Sequence, residues 1–358
     1  MDVYMFGLFS KGSLLPLVGV DFGNQTIKAV TISGRPGKLH IDAVADIVTP
    51  KGTLVDYQLQ DIERVSQSLK NLKRQLSGHS DYAATAVTGS NVITKVIQID
   101  ASLSDKELEN QVQLEAEQII PFPLDEVSLD FEVLGTTSNN EDRQDVLLSA
   151  ARTESVNGRV SALAEAGIVV KVVDVGAHAL GRAVLACLPE LKESDRPVGV
   201  IDIGASAMTF AALVKGEVIY SRLQNFGGDQ YSQALSSFYG MALDEAEQAK
   251  IKGTLPVDHE LDVLMPHINA LLQQVRRNIQ LFCSSSGYRE ISKLVLTGGG
   301  SLLPGLSLQV QEEANCEVLH PDLFAMFGKP KGEAEATHGA KYMTAFGLAL
   351  RSFTPCQI

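Results

Sequence analysis

One local design, written twice, constrains this chain more than any other feature. Gly19-Val20-Asp21-Phe22-Gly23-Asn24-Gln25-Thr26 and Gly199-Val200-Ile201-Asp202-Ile203-Gly204-Ala205-Ser206 each run an apolar strand into an Asp and place a Gly two residues later. Small polar residues follow, then a second β-branched run, 26–32 in one copy and 208–214 in the other. Glycine lets backbone N–H groups close on phosphate oxygens, and an Asp at a strand end offers Mg2+ a carboxylate, usually through water. A single Asp-x-Gly is also an ordinary tight turn. Two copies in matching contexts, about 180 residues apart, point to a duplicated β-β-β-α core whose hairpins face one polyphosphate.

Composition sets the outer limits. With 358 residues, 45% hydrophobic and 20% charged, the chain is globular and long enough for two lobes. A net charge of −13 argues against nucleic acid as a partner. Cys187, Cys283, Cys316 and Cys356 are scattered without C-x-x-C spacing, which predicts a reducing compartment and no zinc site. No apolar run reaches the ~18 residues of a membrane span, and residues 1–16 lack the basic start of a signal peptide, so a cytoplasmic chain is expected.

Three strands are predicted at 18–20, 26–32 and 39–47, then a helix over 61–76 with Ile62, Val65, Leu69, Leu72 and Leu76 on one stripe and Lys70, Lys73 and Arg74 on the solvated face. Strands at 83–87 and 92–99 flank Gly89-Ser90-Asn91. Ser104 and Glu107 form a capping box for a helix that stops at Pro121-Phe122-Pro123. A strand at 127–134, a polar loop at 136–144, a strand at 145–151, a helix from Thr153 and a strand at 169–173 complete an αββαβ block. A helix over 174–188 leads through a charged connector at 192–197 to the second copy, with strands at 198–203, 208–215 and 218–224 and a helix over 230–238. A helical insert at 243–282 carries the stripe Leu261, Leu264, Ile268, Leu271, Val275, Ile279 and Phe282. Beyond it come a strand at 293–297, Gly298-Gly299-Gly300-Ser301, a helix near Pro304, a strand at 316–319, a glycine-bearing loop and a final helix over 338–353.

The expected division is an N-terminal segment at 1–16, a first lobe at 17–99 and 174–196, and an inserted subdomain at 100–173. The second lobe takes 197–239 and 290–358, with a helical insert at 240–289.

Four glycine-marked segments then ask to be brought together: the two Asp hairpins, Gly227-Gly228-Asp229, and Gly298-Gly299-Gly300-Ser301. The last could hold a base or ribose, since glycine removes side chains that block a planar ring and a helix N-terminus offers free amides. In this order, with Thr297 before the triple glycine, the motifs resemble the actin-like ATPase superfamily. Within it the chain is similar to the PilM family of type IV pilus assembly proteins, relatives of the division protein FtsA. Glu117-Gln118-Ile119-Ile120-Pro121-Phe122, Leu129-Asp130-Phe131-Glu132-Val133-Leu134, 147–153 and Ala166-Gly167-Ile168 carry that likeness most specifically.

The resemblance implies an α/β, actin-like (RNase H-like) two-lobe fold with an FtsA/PilM-type inserted subdomain, binding ATP and Mg2+. By the same resemblance Asp21 and Asp202 face the metal through water. Gly23, Asn24, Gln25 and Thr26 line one phosphate turn and Gly204, Ala205 and Ser206 the other, with Lys28 as a phosphate contact. Gly227, Gly228 and Asp229 sit by ribose and phosphates, Glu247 and Lys250 flank the nucleoside, and Gly298, Gly299, Gly300 and Ser301 form the adenosine motif. For Lys28 a surface strand lysine, and for Glu247 with Lys250 a surface pair at i,i+3, stay open as alternatives. Where hydrolytic relatives place a water-orienting Glu or Gln, this chain offers only Asp174, a shorter carboxylate, so ATP binding with slow or negligible turnover is expected.

The resemblance further implies a scaffold whose groove, between the first lobe and the inserted block, accepts the cytoplasmic N-terminal tail of the membrane protein PilN, with other pilus platform proteins and motor ATPases as further partners. That would hold the protein at the inner membrane through its partner. An FtsA-like division anchor and a small-molecule kinase are the alternatives; the ending Arg351-Ser352-Phe353-Thr354-Pro355-Cys356-Gln357-Ile358, too polar and too short for an amphipathic membrane helix, speaks against the first, and the lack of a convincing base against the second.

Overall fold

The computed structural model describes residues 15–76, 81–89, 92–137, 140–330 and 339–353. Expectations for most of the N-terminal segment, for Ser90 and Asn91, for the loop before residue 338, for His338 itself, and for Cys356 in the polar ending lie outside the described residues. The chain divides into two units. Unit 1 takes the chain up to Phe22, Thr26–Ala179 and the chain from Leu348; unit 2 takes Gly23–Gln25 and Leu180–Gly347.

Unit 1 begins with the meander β1 (Val18–Phe22), β2 (Thr26–Arg35) and β3 (Lys38–Val48), then a short hairpin, β4 (Leu54–Val55) and β5 (Gln58–Leu59). Helix α1 (Ile62–Gln75) follows, capped by Asp61, whose carboxylate accepts from Arg64 N–H at 3.0 Å. Its apolar stripe, Val65, Leu69, Leu72 and Leu76, is buried as the spacing predicts. Strand β6 (Tyr82–Val87) adds to the sheet.

Next in the chain are β7 (Val92–Asp100), α2 (Asp105–Ile119), β8 (Val127–Thr137), β9 (Asn140–Arg152), α3 (Thr153–Glu165), β10 (Val169–Val175) and α4 (Gly176–Cys187). The main sheet has the order β10-β6-β1-β2-β3, antiparallel through β1, β2 and β3 and parallel through β1, β6 and β10. The Ser104–Glu107 capping box forms, with the carboxylate accepting from the Ser104 N–H at 2.9 Å and its hydroxyl at 2.6 Å.

Three boundaries differ from the sequence expectation. Strand β7 pairs not with the first-lobe sheet but in a separate sheet, β7-β9-β8, whose own core joins Ile97 and Ile99 to Leu108, Val112 and Ala116 of α2. Conversely, α3 and β10 belong to the main sheet: Val156, Ala162 and Leu163 pack with Val65, Leu69 and Leu72, and β10 runs parallel to β6. The signal lay in Val169-Val170-Lys171-Val172-Val173, a near-continuous apolar run of the kind parallel strands show, whereas β7 alternates. Lastly, the polar stretch expected as a loop over 136–144 is mostly strand, because β8 and β9 extend their ladder as far as Thr137 and Asn140.

Unit 2 restates the main sheet. β11 (Val198–Ile203), β12 (Met208–Val214) and β13 (Glu217–Gln224) form the meander, and the sheet order is β13-β12-β11-β14-β15, with β14 (Lys293–Thr297) and β15 (Glu317–Leu319) parallel to β11. Helices α5 (Gly228–Tyr239), α6 (Leu243–Lys252), α7 (Met265–Ser286), α8 (Leu306–Ala314), α9 (Leu323–Phe327) and α10 (Met343–Ala349) complete it. The predicted stripe of α7 is buried at Ile268, Leu271, Val275 and Phe282, but Leu261 is 79% exposed. A single π-turn over Glu260–Leu264 shifts the register there, so Val263 takes the inward place.

Candidate functional site

In unit 2 the second hairpin ends in a turn built from backbone. Gly204 N–H donates to Ala207 O at 2.8 Å, closing the loop after Ile203. Gly228 N–H and Asp229 N–H then donate to Gly204 O at 3.1 Å and Ala205 O at 2.8 Å, so the first turn of α5 is seated on the hairpin. Gly227 is dictated by this seating: a Cβ there would lie 2.4 Å from Gly204 O and 2.5 Å from Ala205 O. Its own N–H donates to Gln230 Oε1 at 2.7 Å. Gly228 and Asp229, expected ahead of the helix, are thus its first turn.

Glu247 and Lys250 are not a surface pair. Lys250 Nζ lies 2.6 Å from Glu247 Oε2 and donates to Ser232 Oγ at 2.8 Å and Gly228 O at 3.2 Å, while the Ser232 hydroxyl also bonds Glu247 Oε2. Both charged side chains are largely covered, at 14% and 17% exposure. Burial and the charge of Glu247 push the Asp229 carboxyl up, and Lys250 opposes them. Two acids therefore share one lysine beside the amide-rich turn. Ser232 was not singled out in the sequence, although it stands one helical turn after Gly228, where its hydroxyl bonds Gly228 O at 3.2 Å.

Two of the three consecutive glycines pack tightly on the same strand end. Gly298 has φ +84°, and a Cβ on it or on Gly300 would collide with Ile203, at 2.5 Å from its carbonyl oxygen and 2.4 Å from its Cγ2 respectively. Only Gly299 faces open room, its nearest neighbour being Lys341 Cβ at 4.0 Å. Ser301 is committed to the turn, with Oγ 2.7 Å from Gly298 O and 2.8 Å from His320 Nε2. Asn24, which groups with unit 2, donates its amide to Ser206 Oγ, and its Oδ1 is buried without a hydrogen-bond partner among the described residues. Gln25 beside it is exposed and Asp202 is half-buried at the end of β11.

Unit 1 holds Asp21, Thr26, Lys28 and Asp174, and Gly23 groups with unit 2. Asp21 stands directly across the ladder from Lys28, whose Nζ is 3.4 Å from Asp21 Oδ2 and from Thr26 O. Lys28 is thereby tied to the strand-end acid rather than to the surface. A buried cation, missed in the sequence, feels the charge of Asp21. Arg159 of α3 is 1% exposed and donates to Ser155 O at 2.9 Å and Tyr57 O at 2.8 Å. Burial lowers its guanidinium to about 10, with the Asp21 charge pulling it back up. The signal was an Arg within the buried stripe of Val156, Val160 and Leu163.

Asp174 differs from expectation in its setting. It is not in the linking helix but near the end of β10, with α4 starting two residues later. Only 1% exposed, it accepts from Val175 N–H at 2.7 Å and lies 3.8 Å from Arg351 Nε. Among the described residues no cluster of three or more His, Cys, Asp or Glu side chains could hold a metal ion, and no helix is long and apolar enough to cross a membrane.

Comparison with known proteins follows this geometry. The model of the family described as type IV pilus assembly protein PilM matches residues 19–353. The solved structure of a PilM–PilN type IV pilus biogenesis complex is similar with a TM-score of 0.81 at 28% identity, covering 96% of this chain and 100% of that one. The ethanolamine utilization protein EutJ from Carboxydothermus hydrogenoformans gives 0.56 at 19%, over 94% and 92% of the two chains. The cell division protein FtsA of Bacillus subtilis (strain 168) is 20% identical over 381 residues, covering 92% of this chain and 82% of FtsA. With the repeated sheet order, these likenesses give the chain an α/β, actin-like fold.

Proposed function

The chain belongs to the PilM family of type IV pilus assembly proteins, and from that premise we propose that it is an ATP-binding scaffold of the pilus assembly platform that docks the cytoplasmic N-terminal tail of PilN. The observation that carries the reading is the likeness, over nearly its whole length, to the chain in a PilM–PilN complex. Docking on unit 1 beside the inserted sheet would hold the protein at the inner membrane through PilN.

The nucleotide reading is supported by unit 2. Its Gly204–Ser206 turn, the first turn of α5, and the Glu247–Lys250–Ser232 network combine close backbone approach with a lysine and two acids, a set suited to phosphate and ribose. Mg2+ would come with the nucleotide. Magnesium is commonly held by one or two carboxylates, phosphates and its own water, which fits single strand-end acids such as Asp21 and Asp202 and the buried acceptor Asn24 Oδ1. Asp174, buried and engaged by Val175 N–H and Arg351, is poorly placed to orient water, which favours slow turnover.

Calorimetry of the purified protein against a synthetic PilN tail, with and without Mg-ATP, tests both parts. Nucleotide-dependent binding of about micromolar strength or tighter is expected. Equal binding by nucleotide-free, folded protein would remove the coupling, and no binding in either state would remove the partner. Asp202→Asn should weaken Mg-ATP binding with the fold intact; unchanged affinity would overturn the site assignment.

A further inference from the structure

Helices α5 and α7, with the π-turn that precedes α7, border an open, shallow cavity of about 460 Å3. Its lining comes from residues other than the Glu247–Lys250 network. Gln230, Ala234 and Phe238 recur at the four-residue spacing of one face of α5, Phe226 stands in the loop before it, and Val263 and His267 also line the cavity. Its volume lies within the ordinary range of ligand pockets. One wall is rigid: the His267 ring, 6% exposed, is stacked between Phe226 and Tyr231 at 5.4 and 5.2 Å, and its Nε2 has no hydrogen-bond partner among the described residues. Ala234 and Ser237 keep the mouth low.

Around that mouth the surface is unusually apolar. Phe238 is 53% exposed, Leu261 79% and Val257 94%. They share one corner: Phe238 packs on Tyr239, whose hydroxyl donates to Asp258 at 2.8 Å, next to Val257, and the π-turn that carries Leu261 also supplies Asp262 and Val263 to the cavity. Exposed apolar surface gathered at a concave site marks an interface. The charge beside it has one sign. Asp262 lines the cavity, Asp258 bonds the Tyr239 hydroxyl and Glu260 opens the π-turn, neither α5 nor the first two turns of α7 contains a Lys or Arg, and Lys250 of α6 is engaged with Glu247. The nearby cations are Lys252, at the end of α6, and His259 where it is protonated.

We propose that this face of unit 2 docks a basic amphipathic helix of a protein partner, with apolar side chains at helical spacing filling the cavity and Lys or Arg residues paired with Asp258, Glu260 and Asp262. Apart from Phe226, in the loop after β13, the lining residues belong to α5, α7 and the π-turn, so helix in groove is the mode that fits. Shape comes from the Ala234 floor and partner class from the acidic rim.

The test is a helix-constrained peptide display library panned in parallel on the wild-type chain and on Ala234→Trp, which fills the cavity from an exposed position. Circular dichroism and thermal unfolding check that the variant is folded. The expected result is enrichment of basic amphipathic peptides whose measured affinity falls about tenfold or more on Ala234→Trp and on Phe238→Ala, and falls again with Asp262→Lys. Peptides that bind both chains equally, or enriched sequences that are acidic or uncharged, would overturn the proposal. So would sedimentation showing that the wild-type chain dimerises through this face and that Ala234→Trp abolishes the dimer, because the occupant would then be a second copy of the chain.

Discussion

The two Asp hairpins occupy the same place in sheets of the same order, yet they are held in different ways. Opposite Asp21 stands Lys28, with Arg159 buried behind; opposite Asp202 stands Thr209. Unit 1 fixes a charge with cations. Unit 2 fixes a shape, seating α5 on the hairpin by two backbone hydrogen bonds and a glycine that admits no side chain. A duplicated core thus keeps its strand order while its two copies hold their strand-end acids by different means.

The sharpest way to break the comparison is to remove the buried cation. Arg159→Met leaves the Tyr57 carbonyl without its donor, beneath a turn in which Asp56 and Tyr57 both have positive φ, and should cost about 3 to 4 kcal/mol in urea unfolding. If Arg159 matters through Asp21 as well, Mg-ATP affinity should fall further than stability explains. On the other side, Gly227→Ala forces a Cβ into backbone oxygens that cannot move away independently, an expected loss of about 2 to 3 kcal/mol with nucleotide binding abolished. Lys250→Met strands Glu247 and Ser232 without their cation and should cost about 2 kcal/mol, with weakened nucleotide binding. Near-silent outcomes for Arg159 and Gly227 would erase the distinction between a charge side and a shape side.

The smallest effects are slopes with pH, and they have opposite signs in the two units. Burial and the Lys250 charge lower His267 to about 4 from its ordinary 6.5, so the unfolded chain takes the proton first and stability is lost as pH falls through 6.5 toward 4. Burial, reinforced by Glu132 and opposed by the Phe131 N–H and Arg351, raises Asp130 to about 7 from 3.8. Its contribution is fully present below 3.8 and is lost as pH rises through about 7. Between pH 4 and 6.5 the two partly cancel. Asp130→Asn should expose a rising limb and His267→Phe a falling one in urea midpoints measured across that range; identical profiles for both variants would show that neither group titrates as its surroundings dictate.

Much of this was legible from sequence because it rests on local rules. The echo of the two hairpins, the α1 and α7 stripes and the Ser104 capping box are written in spacing and need no partner to be read. Sheet membership is different: β7 and β10 are both apolar strands, and which ladder each joins depends on residues far along the chain. The site shows the same limit. Glycines announced the turn, but what requires them is packing the sequence does not show, as Gly298 and Gly300 do by closing on Ile203. Arg159 and Ser232 stayed silent because one Arg in a helix stripe and one Ser in a helix gain meaning only from what surrounds them.

The inserted sheet has one more consequence. β7 enters it at Val92, whose cross-strand partner is Ala151, one residue before β9 ends at Arg152. A segment whose ends meet across one strand pair can be lengthened, exchanged or replaced by a tight turn with little demand on the sheet it springs from. The inserted sheet can therefore change in length or sequence while the main sheet it springs from keeps its strand order.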